Sequence, residues 1–246
     1  MSTILSQIKH AKNSIAVLID PEKTDNGPNL IATLENASTA SIDFIFIGGS
    51  TVSNQAFQKT CEFIRKHSSI PLVIFPGSSQ QISEKADGLL YLSLLSGRNP
   101  DYLIGHHIDS ATELAEMDLE IIPTGYLLID GGTRSSVAYV SQTTPIPRNN
   151  ISIAKRTAIA GKLQGKQVLF LDAGSGAKHA VPTDMVHAIK DLGIPLIIGG
   201  GIQTVAQIRE IHSAGANIVV IGNKIEADVG FLLEIAVYKK ALIVRH

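Results

Sequence analysis

Eight short, almost continuously apolar runs punctuate this chain: SIAVLI (14–19), FIFI (44–47), PLVIF (71–75), GLLYL (88–92), EIIPTGYLLI (120–129), QVLFL (167–171), PLIIG (195–199) and NIVVIG (217–222). A strand with one wet face alternates apolar and polar residues. A run that is apolar at nearly every position is a strand covered on both faces, as in a parallel sheet wrapped by helices. Segments with helical spacing lie between the runs, among them LIATLENASTA (30–40), TELAEMD (112–118), DMVHAIKDLG (184–193) and TVAQIREIHSAG (204–215). Strands alternating with helices predict an α/β fold, a closed TIM (β/α)8 barrel. The 246 residues suit such a barrel as one unit, and no linker or shift of composition marks a second domain within 1–246.

Two links depart from a regular barrel. PGSSQQISEKAD (76–87) is barely long enough for a crossover with a full helix, so one outer helix is expected to be shortened or missing. The link from Gly131 to Lys166 is long and contains TTPIPRNN, whose prolines and asparagines mean loop. A long loop in a compact domain is a candidate lid.

Composition removes several classes of function. A formal net charge of −1, with no long run of either sign, excludes a nucleic-acid surface of the usual basic kind. Cys61 is the sole cysteine, so no internal disulfide forms, and no Cys/His pair has zinc spacing. Cys61 itself reads as a core or helix-face residue. MSTILSQIKHAKNS lacks the apolar block of a signal peptide, and no stretch of about 20 apolar residues exists. A soluble cytoplasmic protein is expected.

The active site of a barrel forms at the C-terminal ends of its strands. Those ends read Asp20, Gly48-Gly49-Ser50, Asp130-Gly131-Gly132, Asp172-Ala173-Gly174-Ser175-Gly176, Gly199-Gly200-Gly201 and Gly222-Asn223. Glycine lets main chain approach a ligand closely, and converging N–H groups bind anions. In barrels the loops after the seventh and eighth strands frequently hold a phosphate. Gly200, Gly201, Gly222 and Asn223 are placed to do so, and Gly174-Ser175-Gly176 adds donors; the plainer reading is that the glycines only permit tight turns. Asp20 either caps a turn before Pro21 or binds a hard cation. Magnesium is commonly held by one or two carboxylates together with substrate phosphates, and Ser50 on the next strand end could add an oxygen.

IDPEKT, FIFIGGST, PLVIFPGS, GYLLIDGG, TTPIP, FLDAGSGA, IIGGGI and VIGNKIE follow one another in an order and spacing that resemble the geranylgeranylglyceryl phosphate synthases, in the branch that includes bacterial members. The resemblance runs from about Ile15 to Glu226. It implies a TIM barrel lacking one outer helix, and attack by sn-glycerol 1-phosphate on an allylic prenyl diphosphate to give an ether and diphosphate. Carried over by position, Asp20 and Ser50 are the Mg2+ ligands. Phe170, Leu171, Asp172, Ala173, Gly174, Ser175 and Gly176, with Gly200, Gly201, Gly222 and Asn223, hold the glycerol phosphate. Asp172 is the expected base. The family typically has Tyr-Leu-Glu where this chain has Phe170-Leu171-Asp172, so a hydroxyl is lost and the acid is one methylene shorter.

The resemblance favours a geranylgeranyl donor; a heptaprenyl donor is the alternative. Rival readings are another phosphate-binding barrel, such as a sugar-phosphate isomerase or thiamin-phosphate synthase, and a non-catalytic phosphate sensor. Tyr91, Tyr126 and Tyr139 are candidates to line the prenyl groove. FLLEIAVYKKALIVRH (231–246) reads as the eighth barrel helix. A homo-oligomer, and a transient membrane-surface contact to deliver a lipid product, complete the expectations.

Overall fold

The computed structural model describes residues 3–243. The elements run α1 (Ile4–His10), β1 (Ser14–Ile19), α2 (Pro28–Thr39), β2 (Phe44–Ile47), α3 (Asn54–His67), β3 (Leu72–Ile74) and β4 (Gly88–Leu94). A π-helical turn at Asp101–Gly105 leads into α4 (His106–Glu116), then β5 (Glu120–Leu128), α5 (Ser136–Val140), α6 (Ile151–Leu163) and β6 (Val168–Asp172). The chain ends with α7 (Thr183–Lys190), β7 (Leu196–Gly199), α8 (Val205–Ala214), β8 (Ile218–Ile221), α9 (Asn223–Ala227) and α10 (Phe231–Ile243). The strands close in sequence order into one parallel barrel, with β1 returning to β8 through Ser14↔Ile218 to Val17↔Ile221. Each apolar run of the sequence coincides with one strand to within two residues at either end.

Alternate residues on the strands serve two separate cores, which is why the runs have no polar face. Ile45 and Ile47 of β2 point outward to pack with Phe57, Cys61 and Ile64 of α3. Phe44 and Phe46 point inward, with Val73, Phe170 and Ile197. Each such fully buried side chain contributes roughly 1.5–3 kcal/mol. Ile4, Ile8 and Ala11 join the inner core near the strand starts, so α1 closes the barrel floor. Cys61 is fully buried, and burial pushes its thiol up to about 12, which leaves it a packing residue.

The link from β3 to β4 contains no helix, only turns. Gln81 takes over part of the missing helix's work. It is buried; its Nε2 donates to Gly49 O at 2.8 Å, and its Oε1 accepts from Gly77 N at 3.0 Å and Gly49 N at 3.5 Å. One amide side chain thereby satisfies backbone groups on two neighbouring strand ends.

The link from 131 to 166 is not the single loop that its prolines and asparagines suggest. It holds α5 and then α6, the ring helix that packs back on β5. Ile146 of TTPIP is fastened to the end of β5, donating to Leu128 O and accepting from Asp130 N at 2.9 Å each. The stretch that overhangs the barrel is therefore short and tied down. α10 covers the outer layer with buried Phe231, Leu232, Ile235 and Tyr238, as the apolar C-terminal run predicts; residues 244–246 lie outside the described residues.

Candidate active site

The glycines at the ends of β7 and β8 meet a steric demand. Gly200 and Gly201 have φ of +81° and +69°, in the left-handed region that suits glycine. A Cβ on Gly200 would lie 2.6 Å from Asp172 Oδ1, and one on Gly201 would lie 2.6 Å from the backbone of His179. Tight packing and ligand access are thus the same requirement here. Gly176, Gly200, Gly201, Gly222 and Asn223 line a small cup of about 30 Å³.

The donors of the cup do not come from the start of α8. There Thr204 and Gln207 form a reciprocal capping box that takes up the amides of Gln203, Thr204 and Gln207. The amides of Gly201 and Ile202 in the preceding loop find no backbone acceptor among the described residues. Asn223 shapes the opposite wall. Its Oδ1 accepts from Ser175 Oγ at 3.1 Å and Gly176 N at 3.0 Å, which locks the loop after β6 to the loop after β8.

Asp172 ends β6 beside this cup, with only 9 % of its surface exposed. Its Oδ1 accepts from Gly174 N at 2.8 Å, and its Oδ2 accepts from the Tyr126 hydroxyl at 2.6 Å. Burial raises the Asp172 pKa above the ordinary carboxylate value, while these two hydrogen bonds pull the other way. Burial, with the neighbouring Asp172 charge, pushes the Tyr126 phenol well above its usual value, so the phenol stays protonated and donates. A carboxylate with a raised pKa is a stronger proton acceptor than an exposed one.

Strand alternation sorts the rest of the 170–176 segment. Phe170 faces inward, buried between Phe75, with ring centroids 4.8 Å apart, and Tyr126, edge-on at 5.7 Å. Phe170 is the register partner of Tyr126 on β5, so a hydroxyl reaches Asp172 from the strand next door. Leu171 and Ala173 point the other way, into the layer beneath the helices. Their side chains turn from the mouth, and only their backbone could meet a ligand there. Tyr126 was placed by its sequence in the groove; its contact with Asp172 was not foreseeable from spacing alone.

Asp20 follows β1 on the other side of the mouth. Its Oδ1 accepts from Glu22 N at 3.1 Å, and its Oδ2 lies 3.4 Å from Lys23 Nζ. Asp20 and Ser50 line one cleft, and a Cβ on Gly49 would sit 3.0 Å from Asp20 Oδ1, so the glycine keeps that carboxylate accessible. Among the described residues no group of three or more His, Cys, Asp or Glu side chains is assembled to hold a metal. One carboxylate and one hydroxyl leave the rest of a magnesium shell to water and substrate oxygens, which is its usual habit at phosphate sites.

The cleft has a volume of about 230 Å³ and runs from Asp20, Asp172 and Gly200 outward past Phe75, Ile82, Leu89 and Leu114. Its outer part occupies the side where the helix between β3 and β4 is missing. Tyr91 and Tyr126 line it. Tyr91 stacks on His107 with centroids 3.9 Å apart and donates to His107 O at 2.9 Å. Tyr139 does not line it. It is 67 % exposed with Arg134 over its ring at 5.0 Å, because α5 turns that side chain to solvent.

A closed parallel barrel with an amide-lined cup, a buried carboxylate and an apolar cleft at one mouth defines a phosphate-binding TIM-barrel protein. The particular family is settled by comparison: the PcrB family model matches residues 7–239, and the chain belongs to that family. Geranylgeranylglyceryl phosphate synthase of Zunongwangia profunda is 47% identical over 229 residues, 92% of this chain and 96% of that protein. The enzyme of the same name from Spirosoma linguale is 40% identical over 236 residues, 95% of this chain and 94% of that protein. The crystal structure of (S)-3-O-geranylgeranylglyceryl phosphate synthase from Thermoplasma acidophilum, in complex with substrate sn-glycerol-1-phosphate, superposes with a TM-score of 0.88 at 33% identity, over 96% of each chain. Among the described residues no helix is long and apolar enough to cross a membrane.

Proposed function

We propose that the chain joins sn-glycerol 1-phosphate to geranylgeranyl diphosphate through an ether bond and releases diphosphate. The observation that carries this reading is that the apolar cleft, which Asp172 lines, shares Gly200, Gly222 and Asn223 with the amide cup. A small phosphate ester and a long apolar tail are thereby brought to the same proton acceptor. The relatives named above support the choice of substrates.

The phosphate of the ester is held by main-chain amides of Gly201 and Ile202 and by the loop that Asn223 fixes at Gly176. Held there, the glycerol presents its terminal hydroxyl toward Asp172. That oxygen attacks the allylic carbon as the carbon–oxygen bond to diphosphate breaks. The bonding pair leaves with diphosphate, and the hydroxyl proton passes to Asp172. Tyr126 and Gly174 keep the carboxylate aimed through both of its oxygens. Positioning of this sort can supply several kcal/mol of a barrier. Asp20 and Ser50 would hold Mg2+, which when bound neutralises charge on the departing diphosphate. The cleft walls of Phe75, Leu89 and Leu114 exclude water from the tail and from the reacting carbon.

The test is incubation with labelled sn-glycerol 1-phosphate, magnesium and either geranylgeranyl or heptaprenyl diphosphate, followed by organic extraction. Extractable label with the geranylgeranyl donor is expected. Label only with the heptaprenyl donor would replace the donor, and bound ester with no extractable product would make the chain a phosphate sensor.

A further inference from the structure

Lys23 stands where three strand ends meet. Its Nζ lies 3.4 Å from Asp20 Oδ2 after β1, 3.3 Å from Glu226 Oε2 in α9 and 3.5 Å from Ser175 Oγ after β6. Glu226 also accepts from Asn223 Nδ2 at 3.2 Å, and Asn223 is the residue that builds the wall of the cup. One ammonium therefore serves two carboxylates, one on the diphosphate side of the mouth and one on the ester side. Left alone, Glu226 would repel an incoming phosphate; left alone, Asp20 would be free for a cation.

We propose that Lys23 is a tethered cation that competes with the metal for Asp20 and moves onto Glu226 when the metal arrives. The inference rests on the reading of Asp20 as a metal ligand. Two features make the exchange cheap. The Lys23 side chain is 43% exposed and the Asp20 side chain 21%, so neither group is locked in a dry interior. The second acceptor is already within 3.3 Å, so the ammonium needs no new site and never leaves the mouth uncompensated. The metal then replaces one charge on Asp20 as Lys23 covers the acid beside the cup. Lys23 is a positioning residue in this scheme, for it acts on the reaction through Asp20 and Glu226.

The probe is Mn2+ alone, its binding to the full chain followed by the electron spin resonance of the free ion. The component lost in Asp20→Ala is taken as the site; if Asp20→Ala binds as wild type does, the metal reading fails and the competition with it. Lys23→Met is expected to tighten that component about two- to five-fold, the size of a partly exposed ion pair. Lys23→Arg, which keeps the charge, is expected to stay near wild type. Unchanged or weaker binding in a folded Lys23→Met overturns the competition while leaving Asp20 as a ligand. Glu226→Gln removes the alternative berth, so it should weaken Mn2+ binding in wild type and do so less in the Lys23→Met background. Equal weakening in both backgrounds overturns the transfer to Glu226, because independent sites add.

Discussion

The Tyr126 hydroxyl donates to Asp172 Oδ2 at 2.6 Å between adjacent strands, and both groups are buried beneath the mouth of the barrel. This bond lowers the Asp172 pKa against the stronger upward push of burial. Tyr126→Phe removes it while keeping the ring that packs on Phe170 and Phe75. The Asp172 pKa then rises further. A base works only when ionised, so the acidic limb of the rate profile should move to higher pH. A hydrogen bond to a charged group is worth about 1.5–3 kcal/mol, which corresponds to roughly one to two pH units. The pH dependence of kcat measures this. An unmoved limb would mean that Asp172 is not the group being titrated.

Asp172→Asn separates catalysis from stability. Loss of a general base typically costs about 10²–10⁴-fold, and turnover should fall by that order with ester binding nearly intact. The fold should not weaken at neutral pH. The amide can accept from Gly174 N and donate to a reversed Tyr126 hydroxyl, so both contacts can be kept. The sign of the pH effect follows from the raised pKa. A carboxyl that is easier to protonate when folded adds stability below its ordinary value of 3.8, and that contribution disappears as pH rises through the higher folded value. The variant should therefore gain on wild type as pH rises from acid to neutral in urea unfolding. A deficit that grows over that range would contradict the assigned burial cost.

The barrel was readable in the sequence because burial on both faces leaves strands with no polar register, and eight such runs have few other ways to arrange themselves. The strand-end glycines were readable for a related reason: Gly200 and Gly201 occupy backbone conformations that other residues adopt only under strain. What spacing could not show were polar partners distant in sequence. Tyr126 and Asp172 are separated by 46 positions, Gln81 and Gly49 by 32, and Lys23 and Glu226 by 203. Each looks ordinary in isolation. The outward turn of Leu171 and Ala173 follows from the two-residue period of a strand, which a contiguous motif conceals. The short helices α5 and α9, five residues each, lack enough turns to show a periodic face.

Gln81 offers a test of how the barrel does without one helix. Gln81→Leu keeps the bulk but leaves Gly49 O and the amide of Gly77, both half-buried, without their partner. A fully buried unsatisfied group costs about 1–3 kcal/mol, and these are half-buried, so the variant should lose stability at the lower end of that scale in denaturant unfolding. Gly49 borders Asp20. The loss should accordingly extend to a higher KM for the prenyl diphosphate, with little change for glycerol 1-phosphate across the mouth. Equal changes for both substrates would show that Gln81 supports the barrel generally instead of this one strand end.

His212 predicts the acid limit of the fold. It is buried between α8, β1 and α10, with Nδ1 3.0 Å from the Tyr238 hydroxyl and Nε2 3.1 Å from Ser14 O. A carbonyl can only accept, so Nε2 carries the hydrogen and Nδ1 accepts from Tyr238. Protonating Nδ1 would force the Tyr238 hydroxyl to give up its donation and would place an ion in the core. Burial lowers the pKa from 6.5 to about 4, with Lys239 adding to the fall and the Ser14 carbonyl and Asp43 resisting it. A histidine that is harder to protonate when folded contributes its full stability above 6.5 and loses it as pH falls toward about 4. The span corresponds to roughly 3 kcal/mol. His212→Gln can keep a donor to Ser14 O but cannot titrate. The wild type minus variant difference in unfolding free energy should therefore shrink by about that amount across the same range, reported by urea titrations at stepped pH. A difference that stays flat would place the acid sensitivity of the fold elsewhere and would mean that the α8–α10 seam tolerates an imidazolium.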